Sequence, residues 1–114
     1  MNYLLKNKLN ENERKALTEL KKSLKKDYQV SEIVLYGSKA RAESDTESDI
    51  DVLVVLDNKV DDALREKIFN LSFEIELKYD VVFGILIEQG NFWSSSRAKS
   101  MPIYWNIKRE GIPL

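Results

Sequence analysis

One short segment, DIDVLVVLD, constrains the fold of this chain more than any other part of the sequence. It runs from Asp49 to Asp57, and both of its alternating faces are apolar beyond Asp51. Four of its residues are valine or isoleucine, which favour extended backbone. A strand that is apolar on both faces is buried on both faces. The segment therefore predicts the central strand of a small sheet covered by helices.

The rest of the chain alternates between helical and strand patterns without a Pro/Gly-rich linker or an internal repeat. The further predicted elements are a helix from Glu11 to Tyr28, a strand EIVLYG ending at Gly37, a helical turn in SKARAES opened by Ser38, a strand DVVFGILI starting at Asp80, and a helix from Pro102 that stops at Gly111. This order predicts one domain spanning residues 1–114, of the α/β or α+β class, with a small mixed sheet and helices packed on it.

The segment from Val60 to Tyr79 fits two patterns. Its leucines and isoleucines form a helical stripe, whereas FEIELKY alternates as a strand does. A helix is the better prediction because about twenty residues without a turn signal exceed the usual strand length. A second stripe of Phe69, Phe73 and Leu77 predicts a wider core-facing surface, and an interface with another chain remains the alternative.

Composition excludes several classes of chemistry. The chain has no cysteine and no histidine, so it has no disulfides, no thiolate or imidazole nucleophile and none of the usual zinc ligands. A net charge of −1 argues against a chain built mainly to coat nucleic acid. The charge is uneven, since Glu43 to Asp62 holds eight acidic residues against one basic residue. No segment reads as a signal peptide or a membrane span, which predicts a cytoplasmic protein.

Carboxylates at the starts of two predicted strands indicate a metal site. Asp49 and Asp51 stand two apart on a strand, so their side chains share one face, with about 7 Å between the Cα atoms. Asp80 opens the next predicted strand. Crowded carboxylates repel one another unless a cation lies between them, and such hard oxygen ligands suit Mg²⁺. Gly37 and Ser38, at the end of the preceding strand, add close backbone approach and a hydroxyl for an anion, so the segment combines a metal site with a phosphate site.

The pattern GSKARAESDTESDID resembles the signature of the nucleotidyltransferase superfamily related to DNA polymerase beta: Gly-Ser, a ten-residue spacer, then Asp-X-Asp. KYDVVFGILI looks like the strand that carries the third carboxylate of that superfamily, and PIYWNIKREGIPL is similar to the ending of its small members, the minimal nucleotidyltransferases. The resemblance covers roughly Ile33 to the C-terminus. It implies the polymerase beta-like nucleotidyltransferase fold.

The resemblance also implies roles for particular residues. Asp49 and Asp51 would bind two Mg²⁺ ions, and Asp80 would bind the catalytic ion and help to deprotonate the acceptor hydroxyl. ATP would be the nucleotide donor. The residues that would hold its phosphates are Gly37, Ser38 and Arg41.

Minimal nucleotidyltransferases of this kind are commonly the antitoxin partners of an all-helical HEPN-type toxin. The resemblance therefore implies transfer of AMP from ATP to a tyrosine of such a partner, with the Phe69/Phe73/Leu77 stripe and the NFW and IYW segments as candidate contacts. The alternatives are a non-catalytic antitoxin that acts by binding, a subunit of a small-molecule enzyme of the aminoglycoside type, and an RNA-directed enzyme. The nucleotide preference and the oligomeric state stay open.

Overall fold

The computed structural model describes residues 9–41 and 49–114. Within them the chain forms six helices and four strands. In chain order these are α1 (Glu11–Asp27), β1 (Val30–Tyr36), α2 (Gly37–Ala40), β2 (Ile50–Leu56), α3 (Asp62–Tyr79), β3 (Phe83–Gln89), α4 (Gly90–Trp93), α5 (Ser96–Lys99), α6 (Pro102–Glu110) and β4 (Ile112–Pro113).

The four strands form one mixed sheet in the order β3-β2-β1-β4. Strand β2 pairs antiparallel with β1 and parallel with β3, while β1 pairs antiparallel with β4. Parallel strands need a crossover connection, and α3 provides it between β2 and β3. The apolar β2 therefore lies in the interior of the sheet, as its sequence predicts.

Two hydrophobic clusters cover the two faces of the sheet. One joins alternate β2 residues such as Val52 and Val54 to buried residues of α1 and α3. The other joins Leu53 and Val55 to Trp93, Tyr104 and other side chains from the C-terminal helices. Helices thus pack on both faces, which is why β2 is apolar on both, and the predicted fold class is confirmed.

Helix α1 begins with a capping box. The Asn10 side chain accepts a hydrogen bond from the Glu13 N–H, and the Glu13 carboxylate accepts one from the Asn10 N–H. The same Glu13 carboxylate makes a 2.6 Å ion pair with Lys39 of α2, and both side chains are almost completely buried. Because a one-turn helix is barely stable alone, this buried pair fixes α2 against α1.

Several sequence predictions need correction. Strand β3 begins at Phe83 and not at Asp80, because Asp80 adopts a left-handed conformation that ends α3. The prediction that Phe69, Phe73 and Leu77 face the core is wrong, since these side chains are 45%, 57% and 69% exposed. The stripe points away from the sheet, as the alternative interpretation requires.

Other predictions are confirmed or fall outside the described residues. The helices predicted near Glu11 to Tyr28 and within Val60 to Tyr79 are present, and α6 begins at Pro102 as predicted. The end of SKARAES and part of the acidic segment from Glu43 to Asp62 lie outside the described residues. Within those that are described, no helix combines the length and the apolar character needed to cross a membrane.

Candidate functional site

The turn between β1 and α2 brings backbone close to a carboxylate. Gly37 has a φ of 75°, in the left-handed region that glycine adopts at little cost. A Cβ atom at this position would collide with Oδ2 of Asp51, on the neighbouring strand β2. A glycine is therefore needed at position 37 for two reasons: it adopts the backbone conformation of the turn, and it leaves room for the Asp51 carboxylate.

A second glycine flanks the same carboxylate from the other side. Asp51 pairs with Tyr36 on β1 and with Gly84 on β3, so the three residues share one face of the sheet. A Cβ atom at Gly84 would lie 2.7 Å from Asp51 Oδ1. The Asp51 carboxylate thus lies between two glycines, Gly37 and Gly84, at the end of the sheet where β2 begins.

The surroundings of Asp51 disfavour its negative charge. Burial raises the pKa of the Asp51 carboxyl above its usual value, the charge of Asp49 raises the pKa further, and the Arg41 guanidinium partly offsets both effects. Burial also raises the pKa of the Tyr36 hydroxyl, and the charge of Asp51 adds to that shift. The local electrostatics favour a cation beside the pair of aspartates.

The structure brings some of the predicted site residues together and not others. Asp49, one residue before β2, and Asp51 interact electrostatically, and Gly37 lies against Asp51. Asp80 ends α3 three residues before β3, and Gly84 is the β3 residue that faces Asp51. Among residues 9–41 and 49–114 no three acidic side chains form a group able to hold a metal ion.

Ser38 and Arg41 lie within and just after the one-turn helix α2. Ser38 is partly buried directly after Gly37, and the Arg41 N–H closes the turn by donating to the Gly37 carbonyl. The Arg41 guanidinium donates to both carboxylate oxygens of Glu110, at 3.0 and 2.9 Å. The predicted phosphate-binding residues therefore lie on one turn beside Asp51.

Sequence reasoning missed three residues that shape this site: Lys39, Gly84 and Glu110. Lys39 is buried in the middle of the turn, and no pattern in the sequence predicts its burial. Gly84 interrupts the apolar FGILI run, and a glycine inside a strand often marks a close approach. Glu110 ends a helix, where a carboxylate is electrostatically unfavourable.

The donor set is compatible with a divalent cation. Asp49 and Asp51 offer hard oxygen ligands, which Mg²⁺ prefers and combines with water and substrate phosphates. The raised pKa of Asp51 records a burial and repulsion cost that a bound cation would relieve. The two aspartates fit Mg²⁺, whereas the described residues offer no third acidic ligand next to them.

Comparison with known proteins gives matches across most of the chain. A family model for the nucleotidyltransferase domain matches residues 17–104. The "Putative protein adenylyltransferase MJ0604" of Methanocaldococcus jannaschii is 33% identical over 100 residues, which are 86% of this chain and 89% of that protein. A second protein of the same organism, "Putative protein adenylyltransferase MJ0141", is 31% identical over 77 residues, which are 62% of this chain and 78% of that protein.

Solved structures share the fold at lower sequence identity. A crystal structure of a toxin-antitoxin with AMP-PNP matches with a TM-score of 0.55 and 20% identity, over 92% of this chain and 72% of that chain. A mutant of the toxin-antitoxin MntA-HpeT matches with a TM-score of 0.52 and 20% identity, over 94% of this chain and 72% of that chain. These two structures share the overall fold of this chain.

Proposed function

Since this chain belongs to the nucleotidyltransferase domain family, we propose that it transfers AMP from ATP to a tyrosine hydroxyl of a partner protein. The observation that carries the proposal is the position of Asp51, whose carboxylate lies between Gly37 and Gly84 beside the Gly-Ser turn. The names of the similar archaeal proteins support a protein as the acceptor of the adenylyl group.

The proposed reaction is a displacement at the α-phosphorus of ATP. The acceptor oxygen forms a bond to that phosphorus, the bond from the phosphorus to the α–β bridging oxygen breaks, and pyrophosphate leaves with the bond's electron pair. The hydroxyl proton passes to a base, and the role of Asp80 as that base and as a metal ligand remains our proposal from the sequence. Histidine is not required.

Each site residue has a definite task in this proposal. Asp49 and Asp51 bind magnesium, with two ions as the expected number, while Gly37 and Ser38 bind the β- and γ-phosphates. Arg41 offsets phosphate charge. Bound Mg²⁺ stabilises the charge that develops on the attacking and leaving oxygens of such a displacement.

We propose that the partner is a toxin of the HEPN type and that this chain is its antitoxin. The toxin-antitoxin structures with the same fold support this kind of assembly. The candidate contact surface is the exposed stripe of Phe69, Phe73 and Leu77 on α3, because aromatic and large apolar side chains favour interface centres. Within the NFW and IYW segments, Trp105 is exposed and can contact a partner. Trp93 and Tyr104 belong to the core and are not available to a partner.

We propose a cytoplasmic location, because the reaction needs ATP and Mg²⁺ and both are present in the cytoplasm. We expect no direct contact with nucleic acid, since the net charge is −1.

The test is intact mass spectrometry of this chain mixed with the product of the neighbouring gene, in Mg²⁺ and ATP. We expect an AMP-sized mass gain on the partner, and we expect the Asp49→Asn/Asp51→Asn double variant to abolish it. A Phe73→Ser variant should keep the fold, because the side chain is exposed, and should weaken the complex.

Three other outcomes would redirect the proposal. Complex formation without a mass gain would favour an antitoxin that acts by binding alone. Transfer to an aminoglycoside would favour a small-molecule enzyme, and transfer to an RNA end would favour an RNA-directed one. Either transfer result without any complex would overturn the proposed function.

A further inference from the structure

The carboxylate of Glu110 contacts both ends of the one-turn helix α2. Its Oε1 accepts a 3.3 Å hydrogen bond from the Gly37 N–H, the first residue of the helix. The Arg41 guanidinium, just after the last residue, donates to Oε1 at 3.0 Å and to Oε2 at 2.9 Å. A single side chain from α6 thus spans the turn that carries the Gly-Ser pair.

Glu110 occupies an unfavourable place for an acidic side chain. It is the last residue of α6, where the helix dipole and the unpaired carbonyls repel negative charge. Its side chain is only 19% exposed and its partner Arg41 is 40% exposed. The contacts with α2 provide the compensation, since hydrogen bonds to charged groups are among the stronger ones in proteins.

The turn is also held from its opposite side. Lys39 makes the buried ion pair with Glu13 of α1, whereas Gly37 and Arg41 are held by α6. A helix of four residues has almost no stability of its own. These two charged contacts, one from each neighbouring helix, therefore help to hold its orientation against Asp51.

We propose that Glu110 is a positioning residue for nucleotide binding: by holding the Gly37 backbone and the Arg41 side chain, it sets the Gly-Ser turn in the geometry that receives the triphosphate. This inference rests on the proposed function. The family match ends at residue 104, so Glu110 lies outside the matched segment. Glu110 acts through Gly37 and Arg41 and does not itself contact the nucleotide.

Two substitutions of Glu110 separate its hydrogen bond with the Gly37 N–H from its ion pair with Arg41. Glu110→Ala removes both contacts, whereas Glu110→Gln keeps an oxygen for the Gly37 N–H and loses the charge that pairs with Arg41. Glu74→Ala is the matched control, because Glu74 is an exposed glutamate on α3. All three variants are compared with the unsubstituted chain by thermal unfolding before any binding is measured.

The first measurement is backbone amide hydrogen exchange across residues 37–41 without nucleotide. The second is affinity for Mg²⁺-ATP by calorimetry, with adenosine titrated by NMR as the ligand that lacks phosphates. We expect Glu110→Ala to exchange faster in this segment and to bind Mg²⁺-ATP about tenfold more weakly, with adenosine binding unchanged. Glu110→Gln should fall between Glu110→Ala and the unsubstituted chain.

Tighter Mg²⁺-ATP binding by Glu110→Ala would overturn the proposal, because it would show a carboxylate that competes with phosphate. Equal losses for Mg²⁺-ATP and adenosine would also overturn it, since they indicate general destabilisation. The proposal would also be overturned if Glu110→Ala and Glu74→Ala had equal exchange rates and equal affinities for Mg²⁺-ATP. If the unsubstituted chain binds no Mg²⁺-ATP, the proposed function fails, and the exchange result alone still decides whether Glu110 positions the turn.

Discussion

Asp51 and Gly84 lie directly opposite each other in the parallel pairing of β2 with β3, and a Cβ atom at position 84 would come within 2.7 Å of Asp51 Oδ1. The absence of a side chain at Gly84 is what allows the Asp51 carboxylate to lie toward β3. The orientation of the central candidate metal ligand is therefore set partly by a residue on another strand.

Gly84→Ala should impair the site while leaving the fold intact. The added methyl group meets the far end of the flexible Asp51 side chain, which can rotate away at little cost. We expect a transition temperature close to that of the unsubstituted chain and a transfer rate lowered about a hundredfold, because small displacements of reacting groups have large effects on rate. Mass spectrometry of the partner gives the rate, and calorimetry gives the affinity for Mg²⁺.

Gly90→Ala is the matched control for that experiment. Its Cβ atom would lie 2.9 Å from Oδ1 of Asp57, a carboxylate just beyond the other end of β2. The crowding is similar but is remote from Asp51. Equal losses of transfer in both variants would contradict the role assigned to Gly84.

Asp51→Asn should stabilise the metal-free protein at neutral pH. The native pKa of Asp51 is raised, chiefly by burial and then by Asp49, so its ionised form costs folding free energy. The stabilising contribution of a raised carboxyl pKa is present at low pH and is lost as the pH rises through the native value. We therefore expect the variant to unfold at a higher temperature at pH 7 in EDTA.

The dependence of this stabilisation on pH and on Mg²⁺ provides the control for the experiment. The difference in transition temperature should shrink as the pH falls through the native pKa of Asp51 and below the usual carboxyl pKa, because Asp51 is then neutral in both the folded and the unfolded protein. Added Mg²⁺ should reverse the order by stabilising only the unsubstituted chain. A difference independent of pH would assign the effect to packing.

Asp80→Gly tests whether Asp80 has a role beyond ending a helix. Asp80 has a φ of 56°, a conformation that glycine adopts more easily than any other residue, so the variant should be at least as stable as the unsubstituted chain. If Asp80 serves as base or ligand, as the resemblance to the nucleotidyltransferases implies, transfer should fall about a hundredfold or more. An unchanged rate would limit Asp80 to helix capping.

Glu13→Gln should destabilise the protein strongly. The amide oxygen can still accept the Asn10 N–H of the capping box, but Lys39 loses its buried ion pair with the Glu13 carboxylate. Breaking one side of a buried ion pair costs about 3–5 kcal/mol, and denaturant unfolding measures it. Glu11→Gln, which removes an exposed ion pair with Arg14 in the same helical turn, should cost much less, because exposed ion pairs contribute little to stability.

The sequence by itself determined the elements whose patterns are local. The leucine spacing of α1, the two apolar faces of β2, and the proline and glycine that bound α6 each predict an element that the structure contains. The Gly-Ser to Asp-X-Asp spacing likewise identified the neighbourhood of Gly37, Asp49 and Asp51. Such signals need no knowledge of distant contacts, because periodicity and capping act within a few residues.

Only the tertiary structure decided which side chains meet. FEIELKY has a strand-like alternation, yet it lies in α3, whose buried residues pack on the sheet while the aromatic stripe stays exposed. Gly84 lies 33 positions after Asp51 and faces it only through the register of a parallel pair. Glu110 reaches Gly37 across 73 positions. Contacts at such separations depend on how the helices pack on the sheet, which no local pattern of residues specifies.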